Sequence, residues 1–353
     1  MNAKLPILLL IIIAACPPAA APAGVCQVVA GVEAIERTRG YLLLLRDQVA
    51  GQVCQGRDLK TTLAQLATVH EEDYGRPFRV GVPGREKFAR DDKAFAEHVA
   101  AAWKHLSAAP ADPPPDGPPC ALVLLGDHYH PPGYIRPPLE AALKAAGLAG
   151  RFLYNPAHLS AGLLKGHRLL VVLRDGLTWP DPASDRPTWW MTDRQQQAVI
   201  DFVRAGGGLL ALHNANALRP WDDKAGPAAI LRLIGSQYDG HGSSNERFAV
   251  AVLDGRHPIT RGVAGFEVVG ERHRPRLLGE GNTPLLKASS GGETSVAAYV
   301  RTEGKGRVFY LALGHNRKAL EAPAVQRLLV NGARWCGRLT GAAAGPGRSD
   351  GSH

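Results

Sequence analysis

The chain has 353 residues, with 41 Lys and Arg against 32 Asp and Glu, for a formal net charge of +9. That length suffices for one large α/β core and an accessory segment. No block of Lys or Arg is dense enough to track a phosphate backbone, and the 8 Phe and 8 Tyr do not interleave with basic clusters, which argues against nucleic acid as a partner. The diffuse positive charge favours an anionic surface or substrate.

At the amino terminus, Lys4 precedes an apolar run, Leu5 to Ala15, that is too short to span a membrane. Residues 1–23 read as an export signal. Ile13-Ala14-Ala15-Cys16 resembles the lipobox of bacterial lipoproteins, in which the cysteine takes a lipid and becomes the first residue. This predicts a membrane anchor through Cys16 and a mature chain facing the periplasm or the cell exterior. Cleavage after Ala21-Pro22-Ala23, with simple secretion, is the alternative. Either route leads to an oxidising compartment. Cys26, Cys54, Cys120 and Cys336 then permit two disulfides, Cys26 with Cys54 and Cys120 with Cys336, with buried free thiols as the alternative.

Residues 24–107 read as a helical accessory segment. Leu59, Leu63, Leu66 and Val69 recur at helical spacing, and Lys87 to Leu106 gives a second helix with Phe88, Phe95, Val99 and Trp103 available for packing. Residues 108–119, AAPADPPPDGPP, form a proline-stiffened linker. The main domain covers 120–337, and 338–353 reads as a disordered tail.

Cys120 to Leu125 reads as the first core strand. It runs into Gly126-Asp127-His128-Tyr129-His130, a candidate binding loop. Alternate residues of an extended segment share a side, so His128 and His130 are both candidate metal ligands or acid/base groups. Arg151 to Tyr154 reads as an edge or second strand, and Arg168 to Leu173 as another apolar strand, followed by Arg174-Asp175-Gly176. The insertion TWPDPASDRPTWW follows, where Trp179, Trp189 and Trp190 either stack on a sugar or cover the core.

A helix then begins at Thr192, with Gln195 completing a capping box. Gly206, Gly207 and Gly208 stop it. The strand Leu209 to Leu212 has no polar alternation, which suits burial on both faces of a parallel sheet. Ligands of open α/β sheets meet the loops beyond the carboxyl ends of such strands, and here that loop is His213-Asn214-Ala215-Asn216. Gly235 to Gly242 reads as a second polar loop, carrying Tyr238 and His241. Strands follow at Arg247 to Leu253 and Phe266 to Val269, with His257-Pro258 a fixed bend between them. Glu271 and His273 form a further candidate acid/base pair. Ser295 to Val300 and Arg307 to Leu313 are strands, the second running into Gly314-His315-Asn316, and Val325 to Trp335 is the closing helix.

DRQQQAVIDFVRAGGGLLALHNAN, GRHPITRG, EGKGRVFYLALGHN and VNGARW together resemble the ThuA-like family, named for trehalose utilisation. The resemblance covers about residues 120–337. It implies an α/β fold, a flavodoxin-like, doubly wound and mostly parallel sheet related to class I glutamine amidotransferases, here with an N-terminal helical extension. The amidotransferase cysteine is absent from the turn Leu212-His213-Asn214, which excludes thiol-based amidotransfer. His213, His257 and His315 match histidines of the family. Glu271 matches the second of a pair of acids, with Gly270 in place of the first and His273 in place of an aromatic residue.

Sugar metabolism is the function the resemblance implies. The expected enzyme acts on a sugar or keto-sugar through His213, Glu271, His128 and His315. Asp127, His130, Asp175, Asn214, Asn216, Tyr238, His241 and His273 would contact substrate. A divalent metal such as zinc is expected on His128, His130 and His213. A non-catalytic carbohydrate-binding lipoprotein and a scaffold for a sugar oxidoreductase, docking through residues 24–107, are the competing readings.

Overall fold

A computed structural model describes residues 42–43, 45–67, 92–114, 116–220 and 226–339. The export signal, Cys16 and Cys26 lie outside the described residues, as do Val69, the start of the second predicted helix and residues 340–353. Among the described residues no helix is long and apolar enough to cross a membrane, which corrects the membrane-anchor expectation so far as it means a spanning segment; the expected lipid site, Cys16, lies outside the described residues.

The chain opens with helical residues 45–54 (α1), Leu59–Ala67 (α2) and Asp92–Ser107 (α3). The domain then runs β1 Cys120–Leu125, α4 Pro132–Ala146, β2 Ala149–Leu153, α5 Ala161–Leu164, β3 Leu169–Leu173, β4 Leu177–Thr178 and β5 Thr188–Trp189. It continues through α6 Asp193–Arg204, β6 Gly208–Leu212, α7 Ala229–Ile234, β7 Ser236–His241, β8 Glu246–Val252, β9 Phe266–Gly270 and β10 His273–Leu277. The last elements are β11 Thr283–Ser290, β12 Glu293–Glu303, β13 Gly306–Leu311, α8 Arg317–Glu321 and α9 Pro323–Cys336.

Nine strands form one sheet in the order β2-β1-β3-β6-β13-β12-β11-β8-β9. The first five are parallel. The last four add antiparallel ladders. The sheet is therefore mixed: its parallel half of five strands agrees with the expectation, and the antiparallel extension goes beyond it. The physical reason lies in the connections. β11, β12 and β13 are joined by short turns that reverse the chain, whereas parallel neighbours need helical crossovers.

Every residue of β1, β3 and β6 is buried. Their alternate residues feed two cores. Val123, Leu125, Val171, Leu173, Leu210 and Leu212 join Ile135, Leu139, Leu328 and Leu329 of α4 and α9. Leu122, Leu124, Leu170, Val172, Leu209 and Ala211 join Val199, Val203, Ile230 and Leu231 of α6 and α7. Helices thus cover both faces, as in a doubly wound α/β domain. The accessory helices share the first core through Leu45, Val49, Val53, Leu66, Val99 and Leu106.

Cys54, Cys120 and Cys336 are buried free thiols, so the Cys120–Cys336 disulfide is absent. Cys120 donates to the Pro118 carbonyl and Cys336 to the Leu209 carbonyl. The predicted loop 235–242 is largely strand, because β7 pairs antiparallel with β10 and places His241 opposite His273.

Candidate functional site

The carboxyl ends of β1, β6 and β13 lie at one end of the parallel strands, with β3 between β1 and β6, and the loops beyond them carry His130, His213 and His315. The turn after β9 adds Glu271, and His273 follows it as the first residue of β10, which pairs with β7 in a separate two-stranded sheet.

The first loop is shaped by Asp127. Its Oδ1 accepts from the backbone N–H of Tyr129 at 2.8 Å and of His130 at 2.9 Å, and from His130 Nδ1 at 2.8 Å. Its Oδ2 accepts from Asn214 Nδ2 at 2.8 Å and the Asp175 amide at 3.1 Å. Burial opposes ionisation of this carboxyl, but His130 and Asn214 outweigh it and hold it below the usual carboxylate range. Burial likewise opposes charge on His130, and the Asp127 carboxylate overrides it and raises the imidazole pKa. Asp127, expected to contact substrate, is buried, and both its carboxylate oxygens are taken by His130, Asn214 and backbone amides.

His213 follows β6 in a left-handed conformation, φ 50°, unusual for a residue with a side chain. It is fully buried. Its Nδ1 lies 2.9 Å from the Ala312 carbonyl, and that oxygen only accepts, so Nδ1 carries the proton. Nε2 then presents a lone pair, 3.3 Å from Glu271 Oε1. His273 is set the same way, with Nε2 2.8 Å from Asn216 Oδ1 and Nδ1 3.7 Å from Glu271 Oε1. Asn216, also fully buried, is held between His273 and the Ser236 hydroxyl.

Glu271 is the hub. Its Oε2 lies 3.4 Å from both His315 Nδ1 and His241 Nδ1. Burial would raise the Glu271 pKa, but the imidazoles of His213, His273 and His315 around it outweigh burial and hold it below the ordinary range. The turn is clamped from behind by Arg272, which pairs with Glu246 at 3.2 Å and Glu293 at 2.8 Å. His315 Nδ1 is also 3.3 Å from His130 Nε2. Burial lowers His273 to about 3 and His315 to about 4.

Among the described residues, two sets of three side chains have ligating atoms within 4.8 Å of one another: His130 with His213 and His315, and His213 with Glu271 and His273. The cluster is therefore able to perform acid–base or metal-assisted chemistry. His128 belongs to neither set. It is exposed and lies against Trp179, with ring centroids 4.9 Å apart. This corrects its expected place in a shared centre with His130 and His213. The reason is local: the Asp127 hydrogen bonds curl the loop, so alternate residues no longer share a side.

Asp175 sits behind His130, and burial, followed by repulsion from Asp127, pushes its carboxyl up to about 7. Beside it lies a residue the sequence left without a role. Arg174 is fully buried, donates to the Asp175 and Leu177 carbonyls, and stacks over Trp190. A charge ending an otherwise apolar strand was the available signal. Asn214 turns Oδ1 to no protein partner. Tyr238 is partly exposed and packs on His273, ring centroids 4.9 Å apart, and Tyr129 is exposed on the opposite loop. A cavity of about 640 Å³ lined by Pro113, Pro119, Arg168 and Arg334 opens at the other end of the parallel strands and holds none of these groups.

A mixed, doubly wound sheet with a histidine cluster at its strand ends defines the class. The ThuA family model, described as trehalose utilisation, matches residues 137–336, and the chain belongs to that family. A protein described as ThuA-like from Parabacteroides merdae shares the fold at TM-score 0.52 and 18% identity, over 66% of this chain and 94% of its own. A second, from Bacteroides uniformis, gives TM-score 0.48 and 16% identity over 65% and 95%. None of the curated protein sequences compared with the chain matches it.

Proposed function

We propose that the chain is an enzyme acting on a sugar or keto-sugar by histidine and carboxylate acid–base chemistry. The supporting observation is the convergence of His130, His213, His273, His315 and Glu271. A saccharide-binding surface alone has no need of five ionisable groups packed within hydrogen-bond reach. The family's description supports the carbohydrate class.

In this reading His130, held by Asp127 and raised in pKa, shuttles a proton near neutral pH. His315, partly exposed, relays it toward solvent. Asp175, titrating near 7, supplies or takes a second proton. Tyr129 and Tyr238 flank the approach and offer ring faces to a pyranose.

The test is proton exchange at the carbon beside a carbonyl. Keto-disaccharides and their parent sugars are incubated with the protein in deuterated buffer and followed by proton NMR. Exchange or turnover with the keto-sugar, lost in His130→Ala, is expected. Saturable sugar binding without exchange or turnover would move the assignment to a carbohydrate-binding protein.

A further inference from the structure

The hydrogen-bond accounting around Glu271 leaves one hole. His213 spends its proton on the Ala312 carbonyl, and His273 spends its own on Asn216 Oδ1. The remaining lone pairs, His213 Nε2 and His273 Nδ1, are buried and have no hydrogen-bond partner. Both face Glu271 Oε1, itself an acceptor, at 3.3 and 3.7 Å. Three acceptors aimed at one another in a buried space repel unless a proton or a metal ion lies between them.

The other histidine triplet does not pose this problem. His130 gives its Nδ1 proton to Asp127, and its Nε2 faces His315 Nδ1 at 3.3 Å, where one proton between the two rings satisfies both.

We propose that His213 Nε2, His273 Nδ1 and Glu271 Oε1 bind one divalent transition-metal ion of the zinc type. Two imidazole nitrogens and one carboxylate oxygen are the donor set such ions take, and a hard ion such as calcium prefers oxygen alone. The spacing agrees. Bonds of about 2.0–2.1 Å in a tetrahedron place ligand atoms about 3.3 Å apart, against 3.3 Å and 3.7 Å here. Each ligating ring is held by a second group through its other nitrogen, Ala312 O and Asn216 Oδ1, the arrangement that fixes tautomer and orientation in metal centres. Exposure rises from His213 and His273 through Glu271 and His315 to His241, whose side chain is 43% exposed. A fourth coordination position therefore opens toward His315 and the rim.

The site stands on hydrogen-bond geometry and holds whether or not the substrate is a sugar, so its test involves no sugar. The full chain is stripped with chelator, and Zn²⁺ is titrated by calorimetry, with Co²⁺ as a spectroscopic probe. One ion per chain and a Co²⁺ spectrum of low coordination number are expected in the wild type. His273→Gln and Glu271→Gln should each weaken Zn²⁺ binding at least tenfold, and His130→Ala should leave the stoichiometry at one. X-ray absorption on the wild-type Zn²⁺ form, which needs no variant to fold, should show two imidazoles and a carboxylate. Absence of wild-type binding at micromolar Zn²⁺ overturns the proposal. So does binding that survives His273→Gln but is lost in His130→Ala, because the ion then sits on the other triplet.

Discussion

Asp127 and Asp175 lie against each other with opposite fates. Asp127 takes hydrogen bonds from His130, Asn214 and three backbone amides and stays ionised. Replacing it by Ala leaves His130 buried without its counter-charge, so burial prevails and the His130 pKa falls. Breaking a buried pair of this kind costs about 3–5 kcal/mol. Imidazole NMR titration reads the first effect and the urea midpoint the second; an unchanged His130 pKa would contradict the assignment. Asp175 behaves conversely. Its folded pKa, about 7, lies above the ordinary 3.8, so the folded state holds this proton more tightly. The stabilisation that Asp175 contributes is full below about pH 4 and is lost as pH rises through about 7. Asp175→Asn removes that loss. The variant should gain in melting temperature over wild type at about pH 8, and the gain should shrink steadily toward about pH 4. A constant offset across that window would rule the titration out. Residue identity made His130, His213, Glu271, His273 and His315 legible as candidates in the sequence. It did not separate His130 from His128, because that depends on Asp127 curling the backbone, a three-dimensional event two residues wide.

Elements were legible where one force dominated. β6 is a continuous apolar run, and α6 carries a capping box in which Thr192 Oγ1 accepts from the Gln195 amide and Gln195 Oε1 accepts from the Thr192 amide. Thr192→Ala should therefore cost about 1 kcal/mol, seen as a lower thermal midpoint. Thr192→Ser should restore it, since a serine oxygen reaches the same amide. β11 was not legible, because Pro284, Lys287, Ser289 and Ser290 interrupt its apolar signal, and its place comes from pairing with β8 and β12. β7 was hidden in the same way. SQYDGH has loop composition, and it is a strand because β10 pairs with it across the sequence. That pairing matters for the site, since it sets His241 and Tyr238 beside His273.

At the scale of the molecule, the accessory helices and the α/β domain share one interior. Val49, Val53, Leu66 and Val99 are buried in the same apolar cluster as Ile135, Leu139 and Leu173. The accessory segment also reaches the site's foundations. The Cys54 carbonyl accepts from Arg174, and the Cys54 thiol lies under Gly126, where an added Cβ would stand 3.2 Å from Sγ. A separate helical module would instead unfold on its own and leave the histidine cluster intact. The shared interior predicts a single transition. Trp103 on α3 donates to the Arg57 carbonyl beyond α1, so in a variant whose five other tryptophans are replaced by phenylalanine its fluorescence reports the accessory helices, while far-UV circular dichroism reports the whole chain. The two denaturation curves should coincide. Leu66→Ala, which empties a fully buried position, should move both midpoints together and cost about 2–5 kcal/mol. An earlier Trp103 transition, or a Leu66→Ala shift in that probe alone, would make the segment an independent module. Coincidence would mean that residues 45–67 and 92–107 belong to the scaffold that holds Asp127, Arg174 and Asp175 in place.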